Sequence, residues 1–337
     1  MKVGILGTGF GAYHAELYCG MEDVEELYIY GRNEEKLKQL KQGLEAKIAA
    51  QHGGEGSTLC CGSDADRTGY PRIYITCSAD DIIENRAIDL VDICLPSSMH
   101  SEFSVRAMQA GKHVYCETPV ALDMKAAEAI GEAQVKYDRM VFVDLFLRFQ
   151  GPYLYLKEML DKQAFGRLKT LSIHRKTPPI WGDLGPQSIV TNLMIHDIDF
   201  VSWLLGNPGH ITSACTPGKD GQCSVTGLMQ YDGASVELSG SSMMPYSYPF
   251  SVSYEAVFDD AAVRFSNDGY KDSEEFSFKL FTQGVKEDII PERRNCYEEA
   301  IRHVLSCIRS GGQPVNGIAD AIASLELALK IEEQILG

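Results

Sequence analysis

Residues 7–12 read Gly-Thr-Gly-Phe-Gly-Ala, directly after the apolar run Lys2–Leu6 and ahead of a helix-forming stretch, Ala12–Cys19. A strand, a glycine turn and a helix in that order can hold a pyrophosphate. The first glycine permits the tight turn. The second lets the backbone approach the phosphates. The small third residue, Ala12, lets helix pack on strand. Amides at the helix N-terminus then face the negative charge. The pattern predicts that Gly7, Thr8, Gly9, Phe10, Gly11 and Ala12 bind a nicotinamide dinucleotide. At the end of the next apolar run, Glu26–Tyr30, a carboxylate would take the adenosine ribose hydroxyls. The chain has Tyr30-Gly31-Arg32-Asn33 and no acid there. Arg32 is suited to pair with a 2′-phosphate and stack on adenine, which predicts NADP, with NAD possible. A proton leaves oxygen as a hydride leaves carbon, so a group titrating near neutrality is needed to accept it. His196 is that candidate, and Asn192 lies one helical turn before it.

Two further strand ends carry polar groups. One is Val91-Asp92-Ile93-Cys94-Leu95-Pro96, followed by His100. The other is His113-Val114-Tyr115-Cys116-Glu117-Thr118-Pro119. In a doubly wound sheet the ligand lies outside the carboxyl ends of the strands. Together with the glycine turn and Ile195–Gly206, these motifs resemble the Gfo/Idh/MocA oxidoreductases over essentially the whole chain, down to Cys307–Pro314. The resemblance implies hydride transfer between nicotinamide and a secondary alcohol or ketone of a sugar, sugar derivative or cyclitol. It implies that Pro96, His100, Glu117, Thr118 and Pro119 line the nicotinamide ribose and that His196 moves the proton. Basic and aromatic residues such as Arg148, Arg175 and Trp181 would meet a polyhydroxylated substrate. The family usually has Glu-Lys-Pro where this chain has Glu117-Thr118-Pro119, and often Asp-x-x-x-His where it has Asn192 and His196. Lys176 is a candidate to assist the proton transfer in place of the missing lysine. The same departures admit another reading, a dinucleotide-binding sensor without redox turnover. His14, just past the glycine turn, reads as structural.

The elements that must position these groups follow from periodicity. The first half alternates apolar runs (2–6, 26–30, 72–76, 90–95, 113–116, 140–146) with helical stretches, which predicts a parallel, doubly wound Rossmann sheet with helices on both faces. From Leu168 onward the pattern becomes a run of strands closed by helices at 296–310 and 317–335. That predicts an α+β domain with a large, mostly antiparallel open sheet. The expected domains are 1–147 for the dinucleotide and 148–337 for substrate and assembly. One face of the open sheet needs a cover, which predicts a homodimer or homotetramer.

Composition narrows the partners. The net charge of −16 argues against nucleic acid and anionic membrane. No 18-residue uncharged apolar stretch predicts a membrane helix. The ten cysteines include no Cys-x-x-Cys pair, so no metal site is expected, and without an export signal they read as reduced thiols of a cytoplasmic protein. The adjacent Cys60 and Cys61 read as incidental.

Overall fold

The structure is a computed structural model that describes residues 1–52, 70–180, 182–270, 273–292 and 294–337. Cys60, Cys61 and Trp181 lie outside the described residues. The chain forms two compact units, Met1–Asp144 with Tyr297–Ile318, and Leu145–Cys296 with Ala319–Gly337. Sequence reading places 297–318 with the second domain, whereas these residues group with the first unit.

The first unit alternates strand and helix: β1 (Lys2–Leu6), α1 (Gly11–Cys19), β2 (Glu26–Tyr30), α2 (Glu34–His52), β3 (Arg72–Thr76), α3 (Asp80–Ile83), β4 (Leu90–Ile93), α4 (His100–Gln109), β5 (His113–Cys116), α5 (Met124–Tyr137) and β6 (Val141–Val143). All six strands are parallel, in the order β3-β2-β1-β4-β5-β6. That order reverses between β1 and β4, and the crevice opens there. Helices cover both faces of the central strands, and β4 is buried along its whole length. Two helix starts are capped by side chains: Asn33 accepts from the Lys36 amide at 2.9 Å and Asp123 from the Ala126 amide at 2.8 Å.

The second unit comprises α6 (Gly151–Asp161), β7 (Leu168–Lys176), α7 (Ile195–Leu205), β8 (His210–Pro217), β9 (Cys223–Tyr231), β10 (Ala234–Ser241), β11 (Phe250–Phe258), β12 (Ala262–Gly269), β13 (Glu274–Phe281) and β14 (Lys286–Asp288). The eight strands lie in the order β14-β13-β12-β11-β7-β10-β9-β8, and only β7–β10 is a parallel pair. Two C-terminal helices follow. α8 (Cys296–Ser310) joins the first core through Ile301, Val304 and Leu305, and α9 (Ile318–Leu336) joins the second through Leu327, Ala328 and Ile331. Alternation along β9 and β11 buries Val225, Met229, Val252 and Tyr254 against the helices. The other face presents Thr226, Gln230, Ser251, Ser253 and Glu255, with exposed Leu228 among them.

Candidate cofactor and active site

The glycine turn occupies the carboxyl end of β1 at the switch point. Gly7 has φ +117°, its amide donates to the Tyr30 carbonyl at 3.0 Å, and a Cβ there would fall 2.4 Å from the Cys94 carbonyl oxygen. Both backbone and space therefore exclude any other residue. Gly9 differs, since nothing lies within 4 Å of where its Cβ would be. That open side, beside the first amides of α1, suits a phosphate. The close helix–strand packing falls at Gly11, whose Cβ would come 2.9 Å from Ile5 and 3.1 Å from Cys94, and not at half-buried Ala12 as the spacing suggests. Gly31 is a position that sequence reading passed over: a Cβ there would meet Thr8 at 2.8 Å. Its lack of a side chain lets the turn sit against the end of β2. Arg32, next along, is exposed.

His100 joins the loops after β4 and β5. Its ring is buried, with Nδ1 2.9 Å from the Pro119 carbonyl and Nε2 2.7 Å from the Leu95 carbonyl. Carbonyls only accept, so a neutral ring satisfies one and an imidazolium satisfies both. Burial pushes its pKa down while the two carbonyls oppose the shift. Sequence reading puts His100 on the nicotinamide ribose. Its ring is instead bonded to the two loops, and Pro96 and Thr118 are the more exposed members of the set.

Beneath these loops lies a charge cluster drawn from four elements. His14 of α1 has Nδ1 2.9 Å from Asp92 of β4, and Nε2 3.4 Å from Glu117 and 4.0 Å from Asp144. The ring stacks on Tyr115, and the Tyr115 hydroxyl donates to Asp144 at 2.6 Å. His14, Asp92 and Asp144 are at most 1% exposed. Burial pulls the His14 pKa down, but Asp92, Glu117 and Asp144 outweigh it and raise it to about 10. Burial raises the Asp144 carboxyl to about 6, and burial with the Asp144 charge raises Glu117. One imidazolium thus compensates carboxylates that cannot all ionise together. His14, Cys94 and Glu117 also bring metal-ligand atoms within 4.8 Å of one another. Both ring nitrogens of His14 lie against carboxylates, 2.9 Å from Asp92 and 3.4 Å from Glu117, so the arrangement fits a charge cluster.

The second unit's candidates surround α7. A π-helical turn, Val190–Met194, precedes it and interrupts the continuous helix expected over 189–205. Asn192 is exposed, with its amide 3.4 Å from the Asp183 carbonyl. His196 packs on Phe146 with ring centroids 4.7 Å apart, and its Nδ1 is buried without a hydrogen-bond partner. Burial and the Arg175 charge push its pKa down to about 3. Arg175 reaches Asp197 at 2.7 and 2.8 Å, and Arg148 reaches Asp199 at 3.0 and 2.7 Å. Ser324 donates to Asp199 at 2.8 Å, and Asp320 lies 3.0 Å from Arg148. The two arginines that sequence reading gave to substrate are therefore 3% exposed and bonded bidentately to α7. Asp197 and Asp199 are their buried partners. Lys176 follows Arg175 on β7, so strand alternation sends it to the face away from α7.

A parallel sheet in this order, with a glycine turn at its switch point, defines a dinucleotide-binding oxidoreductase fold. A family model for the oxidoreductase family with an NAD-binding Rossmann fold matches residues 1–145, and one for the GFO/IDH/MocA C-terminal domain matches 153–264. The chain belongs to the GFO/IDH/MocA family. It is 34% identical over 144 residues to inositol 2-dehydrogenase 2 of Saccharopolyspora erythraea, a match covering 42% of each chain. It is 24% identical over 267 residues to scyllo-inositol 2-dehydrogenase (NAD(+)) of Bacillus subtilis, covering 74% of this chain and 76% of that one. The first of these matches spans less than half of the relative's length. In fold it is similar to aldose-aldose oxidoreductase of Caulobacter crescentus, complexed with glycerol, with TM-score 0.78 at 20% identity over 99% and 97% of the two chains. Among the described residues no helix is long and apolar enough to cross a membrane.

Proposed function

We propose that the protein is an NAD(P)-dependent dehydrogenase that oxidises a secondary alcohol of a cyclitol or sugar, or reduces the corresponding ketone, and that it prefers NADP. The observation that carries the reading is the open cradle at Gly9 on the carboxyl edge of a family-typical Rossmann sheet. The bound cofactor supplies or accepts the hydride. Gly7, Gly9, Gly11 and the α1 amides hold its pyrophosphate, and Arg32 takes the 2′-phosphate. Glu117, Thr118 and Pro119 border the nicotinamide end, with His100 fixing their loop. His196 handles the substrate proton. Its neutral ring is in the form that accepts a proton from an alcohol, and burial with the nearby Arg175 charge keeps it neutral. Arg148 and Arg175 hold α7 in place for that role. Asn192, on an exposed turn, is available to a substrate hydroxyl. The relatives' names support a cyclitol or sugar as substrate.

Two observations favour a second reading, a dinucleotide-binding sensor without turnover. Thr118 cannot carry the charge of the family's usual lysine, and a ring held near pKa 3 is a weak base. The test is absorbance at the reduced-nicotinamide band with NAD and NADP against a panel of inositols, aldoses and their ketones. Turnover on one of them establishes the dehydrogenase. Tight cofactor binding with no turnover across the panel establishes the sensor. We also propose a homodimer or homotetramer built on the open face of the eight-stranded sheet, where Leu228 is exposed among polar neighbours. A monomeric mass by light scattering at micromolar concentration would refute it.

A further inference from the structure

At the opposite edge of the first unit's sheet, where β1, β4, β5 and β6 begin, the structure has a cavity of about 610 Å³. In a chain of net charge −16, its lining collects Arg86, Lys112, His113, Arg139, Arg309 and the Met1 end of the chain, against one acid, Asp89. Arginines and lysines at this edge can serve simply to complement the C-termini of the helices that lead into each strand. The individual side chains show more than that. Arg139 donates from Nη1 to the Asp138 carbonyl at 3.0 Å, yet its buried Nε has no hydrogen-bond partner. Lys112 is 3% exposed and donates to the Asn85 carbonyl at 2.6 Å. Its hydrogen-bonded acceptor is neutral and Asp89 is the one carboxylate near it, so with the arginines around it the lining keeps positive charge that an anion would offset. The Met140 amide donates to His113 Nδ1 at 3.1 Å, so in the neutral ring Nε2 bears the proton and is a further donor. Arg86 is exposed and forms no ion pair with the described residues. Arg309 and the Met1 ammonium are partly neutralised by Asp23 and Glu25.

We propose that this amino-edge cavity binds a small phosphorylated metabolite, with Arg86, Lys112 and Arg139 on its phosphate. Guanidinium forks match phosphate oxygens in pairs, and a lysine adds a point charge. The volume admits a compound the size of a sugar phosphate. The site is separate from the glycine turn, which lies at the other ends of the same strands.

Isothermal titration with pyrophosphate, at fixed ionic strength and with NADP saturating, tests the assignment. One saturable site is expected. Arg86→Gln should weaken it about tenfold, the scale of one charge-assisted hydrogen bond. Arg86 is exposed, so this variant keeps its fold, as circular dichroism would check. Arg139→Gln should weaken it comparably, and the pair of changes about a hundredfold. The cofactor's own affinity should stay unchanged in both variants. Absence of a saturable signal, or unchanged binding in the Arg86→Gln and Arg139→Gln proteins, would overturn the proposal.

Discussion

His14→Gln tests the charge cluster beneath the glycine turn. Glutamine keeps a polar side chain of similar reach and removes the imidazolium. In the wild type the His14 pKa stands at about 10 against about 6.5 in the unfolded chain. A raised pKa means that the folded state binds the proton more tightly. The resulting stability is fully present below pH 6.5 and is lost as pH rises through the folded value. Between pH 7 and 8.5 the unfolded histidine has released its proton, and the cysteines whose thiols burial raises contribute alike in both proteins, so the difference between their slopes isolates His14. One proton over that span amounts to about 2 kcal/mol, at about 1.4 kcal/mol per pH unit. The wild type should lose that much more than His14→Gln across the window. His14→Gln lacks this contribution and should instead weaken more steeply than the wild type as pH rises from 4 to 7, because the Glu117 and Asp144 carboxyls, already raised by burial, lose the positive charge that lowers them. Urea unfolding followed by far-ultraviolet circular dichroism measures both slopes. The two tryptophans, at 181 and 203, belong to the second unit by position, so a transition absent from their fluorescence is the first unit's own. Identical slopes for the two proteins between pH 7 and 8.5 would show that His14 is not the compensating charge.

Other perturbations separate the roles of the turn and of α7. Gly9→Ala enters open space and should leave stability within about 0.5 kcal/mol while weakening cofactor binding, whereas Gly11→Ala presses on Ile5 and Cys94 and should cost about 1–3 kcal/mol in urea. Equal stability of the two variants would contradict the packing. Arg32→Ala should weaken NADP more than NAD by about 1–3 kcal/mol, read by fluorescence titration, and an equal loss for both would remove its phosphate role. On a working substrate, His196→Ala should lower turnover by about 10²–10⁴-fold with cofactor affinity unchanged, and full activity would end its assignment.

The alternation of apolar runs with helices made the first sheet legible, since a parallel strand order requires crossover helices. The glycine turn was legible because its spacing answers to one geometry. Its packing residue was not: position 12 fits the spacing rule, but only the folded backbone reveals that Gly11 meets Ile5 and Cys94. The charge cluster was hidden for another reason. Residues 14, 92, 117 and 144 are separated by whole β-α-β crossovers, and no local pattern links them. His14 read as structural because its carboxylate partners are remote in sequence. Arg148 and Arg175 looked free for substrate because Asp197 and Asp199 sit on a helix whose buried face is otherwise apolar. The π-helical turn at 190–194 had no signal, because no local residue pattern separates a single i→i+5 turn from an ordinary helix.

The first unit is assembled from two stretches of chain, and the second unit's strands are synthesised between them. A fragment ending at Asp144 would lack Ile301, Val304 and Leu305 of α8 from its core. It would also lack Asn316, whose carbonyl accepts from the Val143 amide at 2.8 Å and whose side-chain amide donates to the Val143 carbonyl at 2.8 Å. During translation the nascent Rossmann half must therefore wait, on the order of 10–30 s at typical elongation rates, until the missing helix leaves the ribosome. In that interval its last strand and an apolar flank are open to solvent, which is when a chaperone would have most to protect.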